Sequence, residues 1–531
     1  MKKITLILVC LFSTLFVAAQ WNTDTAINTL VADADSSVPR SIVGSDGSTY
    51  IVFWKELPSP DNYELRIQKL DAMGNQLFGT EGKLISNTMP MSSFTQVKSV
   101  AIDANDNIYV GATATSGNGG YAFKVDSNGN NQWTSDGISL GTAYIVRMWP
   151  LSNGEVIISM LNGSSYNGEM QKYSANGTPV WATPTAVESL SAPANIYEMS
   201  NGDVVCLYHK LGSGVTSTIY AQRFNSTGAS VWASPTQLFS SNNNTVYNVI
   251  YYGAQDGDVV YYSYKLAHDS RFDAYVQRIN PDGTLPWGIN GVDFDTNQTN
   301  YEQEIQIALT PGSQYVYALC RYTDSGQGNV GIYLQKFDKV TGARMLTDNA
   351  KAVYSMGSGV NPLGDFRVTN DHPVFLTSLG NNLDMVLLDS NGDFVWTEES
   401  KPVATFAAAK SNVNLHAKSN NEFVITFLED KGSGSRVYAQ NFTDAALSID
   451  DVNSTSALQF TNPITNELKL KSSNTINSAQ VYNTLGQLVY KTTNNSHNEL
   501  TVNSQDWNPG MYLVIVSAEN GNTQTLKIIK K

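Results

Sequence analysis

The chain is short of cysteine and of charge. Three cysteines among 531 residues cannot cross-link a chain of this length, so packing has to hold it together. Charged residues make up only 15%, which argues against long amphipathic helices and coiled coils, whose solvent faces need them. Basic residues are the scarcer sign, 33 Lys and Arg against 47 Asp and Glu, a net −14. That balance excludes a phosphate-backbone partner, because a nucleic-acid surface gathers Lys and Arg. No stretch approaches the length of about 20 apolar residues that a spanning helix needs, so no membrane span is expected. What the chain does have is 40 glycines, 27 tyrosines and abundant Asn, Ser and Thr, the mixture of short strands and polar turns.

The two ends differ from the middle. Residues 1–20 carry two lysines, an apolar run from Ile4 to Val17 and then Ala18 and Ala19, the pattern of a secretory signal peptide. Cys10 would leave with it. Cys206 and Cys320 then remain, each inside an apolar strand-like run where a thiol packs as a small hydrophobe, and no disulfide is expected. Residues 458–531 read as a separate small β-sandwich, joined through a linker at 446–457. The charge follows these parts: residues 451–531 carry +1 and the first 20 carry +2, leaving −17 on residues 21–450.

The C-terminal stretch has ordered motifs. Asn462-Pro463 opens its first strand, and the turn Asn483-Thr484-Leu485-Gly486 is followed by Gln487-Leu488-Val489-Tyr490. Then come Trp507-Asn508-Pro509-Gly510-Met511-Tyr512 and a basic tail with Lys527, Lys530 and Lys531. These motifs resemble the type A C-terminal sorting domain of the type IX secretion system of Bacteroidetes. The resemblance implies export through the periplasm to the medium or the outer cell surface, with the type IX translocon and sorting machinery as partners. Each residue also has a structural use: Gly486 and Gly510 supply turns, Pro463 and Pro509 fix φ, and the Tyr and Leu positions pack the core.

Between the ends lies a repeat. A turn glycine is followed four residues later by a large apolar side chain: Gly74 and Phe78, Gly129 and Trp133, Gly177 and Trp181, Gly228 and Trp232, Gly283 and Trp287, Gly342 and Leu346, Gly392 and Trp396. Before most of these turns stands Gln, then Lys or Arg, then an apolar residue, as in Gln68-Lys69-Leu70 and Gln277-Arg278-Ile279. Earlier in several units comes another turn, Ser-Asp-Gly or Ser-Asn-Gly, leading into an apolar strand. Four antiparallel strands in about 50 residues describe a propeller blade. Residues 414–442 repeat the first three strands without the last, whereas Trp21 opens the mature chain with the missing one. The expected fold is therefore an all-β, eight-bladed propeller over residues 21–445, with seven blades as the alternative, closed by the N-terminal strand. Trp21, Phe78, Trp133, Trp181, Trp232, Trp287, Leu346 and Trp396 are expected to dock between adjacent blades, each aromatic contributing a few kcal/mol. The pattern resembles the repeats of quinoprotein-type propellers and their non-enzymatic relatives, with Asp338-Lys339-Val340-Thr341-Gly342 as the nearest copy.

Chemistry is harder to find. The adjacent cysteine pair of an alcohol-oxidising quinoprotein is missing, and no cofactor is expected. DSNGNNQW from Asp126 looks similar to a sialidase Asp-box, but its Trp stands one place too far from Gly. The arginines, Arg40, Arg147 and Arg367 among them, appear scattered, with no evident triad for a carboxylate. Paired carboxylates (Asp103 and Asp106, Asp256 and Asp258, Glu302 and Glu304) and isolated histidines (His209, His268, His372) have no spacing that demands catalysis or a metal. No catalytic, cofactor or metal residue is assigned. Two readings stand. In one, the propeller is an exported binding module for a glycan or protein, using loops such as those at Gly163, Ala267 and Thr323. In the other, it is a polysaccharide-active hydrolase or lyase with its site at the channel mouth.

Overall fold

The structure is a computed structural model that describes residues 21–444 and 459–531, apart from 59–61, 90–97, 115–118, 214–215, 243, 248–250, 269–270, 420, 484–485 and 519–522. The expected signal peptide (1–20) and linker (446–457) lie outside the described residues, as do Thr484 and Leu485 of the sorting motif. The chain divides into two compact units, residues 1–449 and 450–531. Among the described residues no helix is long and apolar enough to cross a membrane.

The described residues of the first unit form eight antiparallel sheets, a propeller-like all-β architecture. The first comprises Ser36–Val43, Thr49–Leu57, Asn62–Leu70 and Lys83–Ser86 in that order. Six more follow in the same sequential up-and-down order, and the fourth gains a short extra strand, Val246–Tyr247. The eighth joins Lys410–Ser419, Glu422–Asp430 and Ser435–Thr443 to Thr29–Leu30 from the far end of the chain, with Thr29 opposite Ala439.

Second strands such as TYIVFW from Thr49 and VVCLYH from Val204 are buried along their length instead of alternating, because a neighbouring sheet covers each face. The apolar clusters accordingly bridge sheets. Leu207 and Ile219 of the fourth pack with Tyr262 and Tyr264 of the fifth, and Ile51 and Phe53 of the first pack with Val424 and Val437 of the eighth. Most first strands pack on the first strands of neighbouring sheets, including Ser36–Val43 on Lys410–Ser419 at the closure. Cys206 and Cys320 are free and buried, and burial pushes both thiols up.

In the second unit, five strands hydrogen-bond in one sheet. The long strands Glu467–Asn483 and Leu488–Asn503 lose register between Lys471 and Ile476, and residues on both sides of the break, Leu468 and Val502 with Val481, Val514 and Ile528, share one core. Tyr512 packs into that core, as expected. Leu468 and Leu470 do the same, but Leu488 and Leu513 of the motifs are 50% and 43% exposed: on Gly510–Ala518 the inward positions fall to Tyr512, Val514 and Val516.

Candidate functional site

The repeat residues lie where neighbouring sheets meet. Six of these side chains, Trp21, Phe78, Trp133, Trp181, Trp232 and Trp287, lie over the turn glycine of the next unit, whereas Trp396 donates its indole N–H to Asp444. The Trp133 ring sits 2.8 Å from where a Cβ on Gly177 would stand, Trp181 3.1 Å from that of Gly228 and Trp232 2.9 Å from that of Gly283. Those glycines have φ between 79° and 85°, so both conformation and space exclude a side chain. The indole N–H then donates to the carbonyl two residues before that glycine: Trp21 to Ala72, Trp133 to Ala175, Trp181 to Ser226 and Trp232 to Pro281. Trp287 departs. Its turn partner is one residue longer, with Gly342 N–H bonded to Asp338, and Arg278 takes the carbonyls of Lys339 and Val340, so the buried Trp287 Nε1 has no acceptor. At Gly392, Leu334 and Lys351 fill the seat that Leu346 only edges.

The Gln-Lys/Arg pair divides its work. Gln171 and Gln222 donate to the carbonyls of Trp181 and Trp232, tying the staple to its own sheet. Lys124, Arg223 and Lys336 reach turn carbonyls of the next sheet, at Ala175, Pro281 and Ser390. The Ser-x-Gly turns are joints as well. Ser45, Ser152 and Ser200 each donate N–H and Oγ to one carboxylate of the following sheet, Asp106, Glu198 and Asp258. Asp103 accepts the N–H groups of Asn105 and Asn107 within its own turn, and Asp256 pairs with Lys339 at 2.7 Å. His209 bonds Ser217, His268 meets Asp273 and His372 meets the Asn370 carbonyl.

Two places remain where side-chain chemistry gathers. The first is the row of first strands, one from each sheet. In six of them the ladder slips, and the first residue paired after the first slip is Arg40, Arg147, Asn195, Glu304, Arg367 or Asn414. The arginines that look scattered in sequence are thus brought to equivalent positions. Val38 and Ile145, inside two of these slips, have φ of 46° and 53°, a conformation that costs a β-branched residue on the order of 1–3 kcal/mol. Several of these side chains bond the next sheet's first strand or the residues leading into it: Arg147 to Ala194 O, Asn195 to Tyr251 O, Arg367 to Leu415 O and Asn414 to Pro39 O. His416, not singled out in the sequence, is held neutral in this line. Burial and the Arg367 charge pull it down to about 4.

The second is a buried acidic cluster on the crossover from the fifth sheet to the sixth. Carboxylate oxygens of Asp293, Asp295 and Glu302 lie within 4.8 Å of one another. Such an all-oxygen set has the chemistry a hard cation takes. The residues also satisfy one another without one: the Tyr322 hydroxyl donates to Asp295, and the Ala274 N–H donates to Glu302 at 2.6 Å. Burial, then the neighbouring carboxylates, push Asp293 up to about 7 and Glu302 well above the usual range, so the cluster retains protons near neutrality. Sequence reading picked out Glu302 and missed Asp293 and Asp295, which look like ordinary turn residues until the crossover brings them back.

Residues 460–531 match the secretion system C-terminal sorting domain. The chain is thereby marked as type IX cargo and as a secreted or cell-surface protein, and interaction with that secretion machinery is implied. No curated protein matches the chain. Similar solved structures include a PL25 ulvan lyase bound to -[GlcA(1-4)Rha3S]-, 13% identical, covering 78% of this chain and 95% of that one at a TM-score of 0.40. Another is the polysaccharide lyase Uly1, 9% identical over 78% and 90% at 0.43. A third is the α-L-arabinofuranosidase Arb93A of Fusarium graminearum, 12% identical over 57% and 93% at 0.33. At TM-scores this low the likeness says nothing of this chain's chemistry.

Proposed function

We propose that residues 21–445 close into one eight-bladed ring that acts, after export, as a binding module for a glycan or protein ligand. Residues 1–20 direct the chain to the periplasm, 446–457 link the ring to the sorting domain, and 458–531 carry it across the outer membrane. Asn462, Pro463, Gly486, Pro509, Gly510, Tyr512, Lys527, Lys530 and Lys531 form the sorting motif.

The observation that carries the binding reading is where the polar side chains go. Asp103, Asp106, Asp256, Asp258, His209, His268 and His372 are all engaged in turns, joints or ion pairs. A catalytic site needs two or more such groups free to face one substrate, and these are committed to structure. The experiment is a glycan and polysaccharide array with the exported chain, read for retention and for product together. Retention without product is expected; release of oligosaccharides overturns the reading.

A further inference from the structure

The sheet of the sorting domain presents two different outward surfaces, one on each side of its register break. Before the break, Glu467, Lys469 and Lys471 stand opposite Asn503, Thr501 and Glu499, all of them exposed. The charges there pair with one another, Lys469 with Glu467 at 2.8 Å and Lys471 with Glu499 at 2.5 Å. After the break the outward side chains are apolar. Tyr482 pairs with Leu488 on one side and Leu513 on the other, and Met511 pairs with Ile529. Paired residues and residues two apart along a strand point to the same side of a sheet, so these five share one face. The core residues Val481, Val514 and Ile528 lie on the other. Leu488, Leu513, Ile529 and Met511 are 37–50% exposed. A hollow of about 460 Å³ opens on this face, walled by Tyr482, Met511, Leu513, Ile515 and Gly486.

None of these exposed side chains is needed to close the core, and a contiguous apolar surface on a small module marks a place of contact. They stand within the segments that carry the sorting-domain match: Leu488 lies two residues after Gly486, Met511 directly after Gly510, and Ile529 in the basic tail. Lysines rim the face. Lys527 stands opposite Leu513, and Lys491 opposite Gln480, whose neighbour on the other side is Ile515. Both are exposed, and among the described residues neither has an ion pair, unlike Lys469 and Lys471. A second copy of the same face would bring lysines to the contact and no carboxylates to meet them. Charge complementarity asks instead for a partner that is apolar at its centre and acidic at its edge.

We propose that the face formed by Leu488, Tyr482, Met511, Leu513 and Ile529 is where the secretion machinery holds the folded sorting domain, through a protein surface with an apolar centre and an acidic rim. The inference rests on the sorting role proposed above for residues 458–531 and adds the place and the chemistry of the contact.

The test follows the full chain in a cell with type IX secretion, fractionated into periplasm, outer membrane and medium. Leu513→Asp is expected to lower the exported share about tenfold, with an unchanged melting temperature of the purified chain. Lys527→Glu should lower it as well, whereas Lys527→Arg, which keeps the charge, and Lys471→Gln, on the charged surface, should export as the parent does. Should Leu513→Asp melt early, Lys527→Glu, a change to an exposed side chain, decides alone. Normal export of Lys527→Glu overturns the acidic rim, and normal export of Leu513→Asp overturns the face. An equal loss in Lys471→Gln also overturns the face, since export would then respond to either surface. A parent that sediments as a dimer and a Leu513→Asp variant that sediments as a monomer, both exported normally, would give the face to a second copy. In each of these cases retention of the chain lacking residues 458–531 leaves the sorting role standing; normal export of that chain removes both.

Discussion

Trp21 and Gly74 meet where the two ends of the first unit come together: the indole lies 3.0 Å from where a Cβ on Gly74 would stand, and its Nε1 donates to the Ala72 carbonyl at 2.9 Å. Trp21 leads into Thr29–Leu30, the strand that the eighth sheet borrows, so this contact fastens the eighth sheet to the first. Asn28 adds a bond to buried Glu429, 401 residues away, at 2.8 Å. Trp21→Ala is expected to cost about 3–5 kcal/mol, measured by denaturant unfolding. A loss below about 1 kcal/mol would mean that the closure does not depend on the staple.

Gly283 and Gly202 separate the two reasons for glycine. Their φ angles are 85° and 83°, but a Cβ on Gly283 would stand 2.9 Å from the Trp232 ring, whereas nothing lies within 4 Å of one on Gly202. Gly202→Ala should cost only the conformational term, about 1–2 kcal/mol. Gly283→Ala should cost a further 1–3 kcal/mol, roughly, because the staple must move. Equal losses in the two variants would show that the seat is not close-packed.

The fold was largely legible because its joints repeat. The fixed offset from Gly177 to Trp181 or from Gly228 to Trp232 announces the unit, and Trp21 with no preceding unit announces the closure. The direction of docking was not, since offset alone does not say that Trp181 sits on Gly228 of the next sheet and not on its own turn. The residues after the register slips had a faint signal: Arg40, Arg147 and Asn195 each stand seven residues before a turn glycine, Gly47, Gly154 and Gly202. Their identity varies from unit to unit, so no repeat search weights them. Asp293 and Asp295 left no signal, because they join Glu302 only through the crossover between sheets.

The acidic cluster makes stability depend on pH. Burial pushes Asp293 up to about 7 in the folded chain, against 3.8 for an ordinary aspartate, so the folded form holds a proton that the unfolded chain has released. Folding therefore takes up a proton in that window, and stability falls as pH rises through it, by about 4 kcal/mol at most. Asp293→Asn should remove this term, flattening the decline between roughly pH 4 and 8 and raising the melting temperature most at the alkaline end. A parent protein whose unfolding midpoint is level across that window would overturn the assignment.

Neighbouring residues of the sorting domain separate its fold from its surface. Val514 is fully buried among Val481, Tyr512 and Ile528, whereas Leu513, beside it on the same strand, is 43% exposed. Val514→Asp buries a carboxylate without a partner and should cost more than about 3 kcal/mol, enough to unfold a module with one small core. Leu513→Asp should cost under about 1 kcal/mol. If recognition by the secretion machinery requires the folded module, Val514→Asp should hold the chain in the periplasm, as should deletion of residues 458–531. Fractionation of cells into periplasm, outer membrane and medium reads both. Normal export of the truncated chain would remove the sorting role from this domain, and normal export of Val514→Asp with an unfolded domain would assign the signal to linear sequence instead of to the fold.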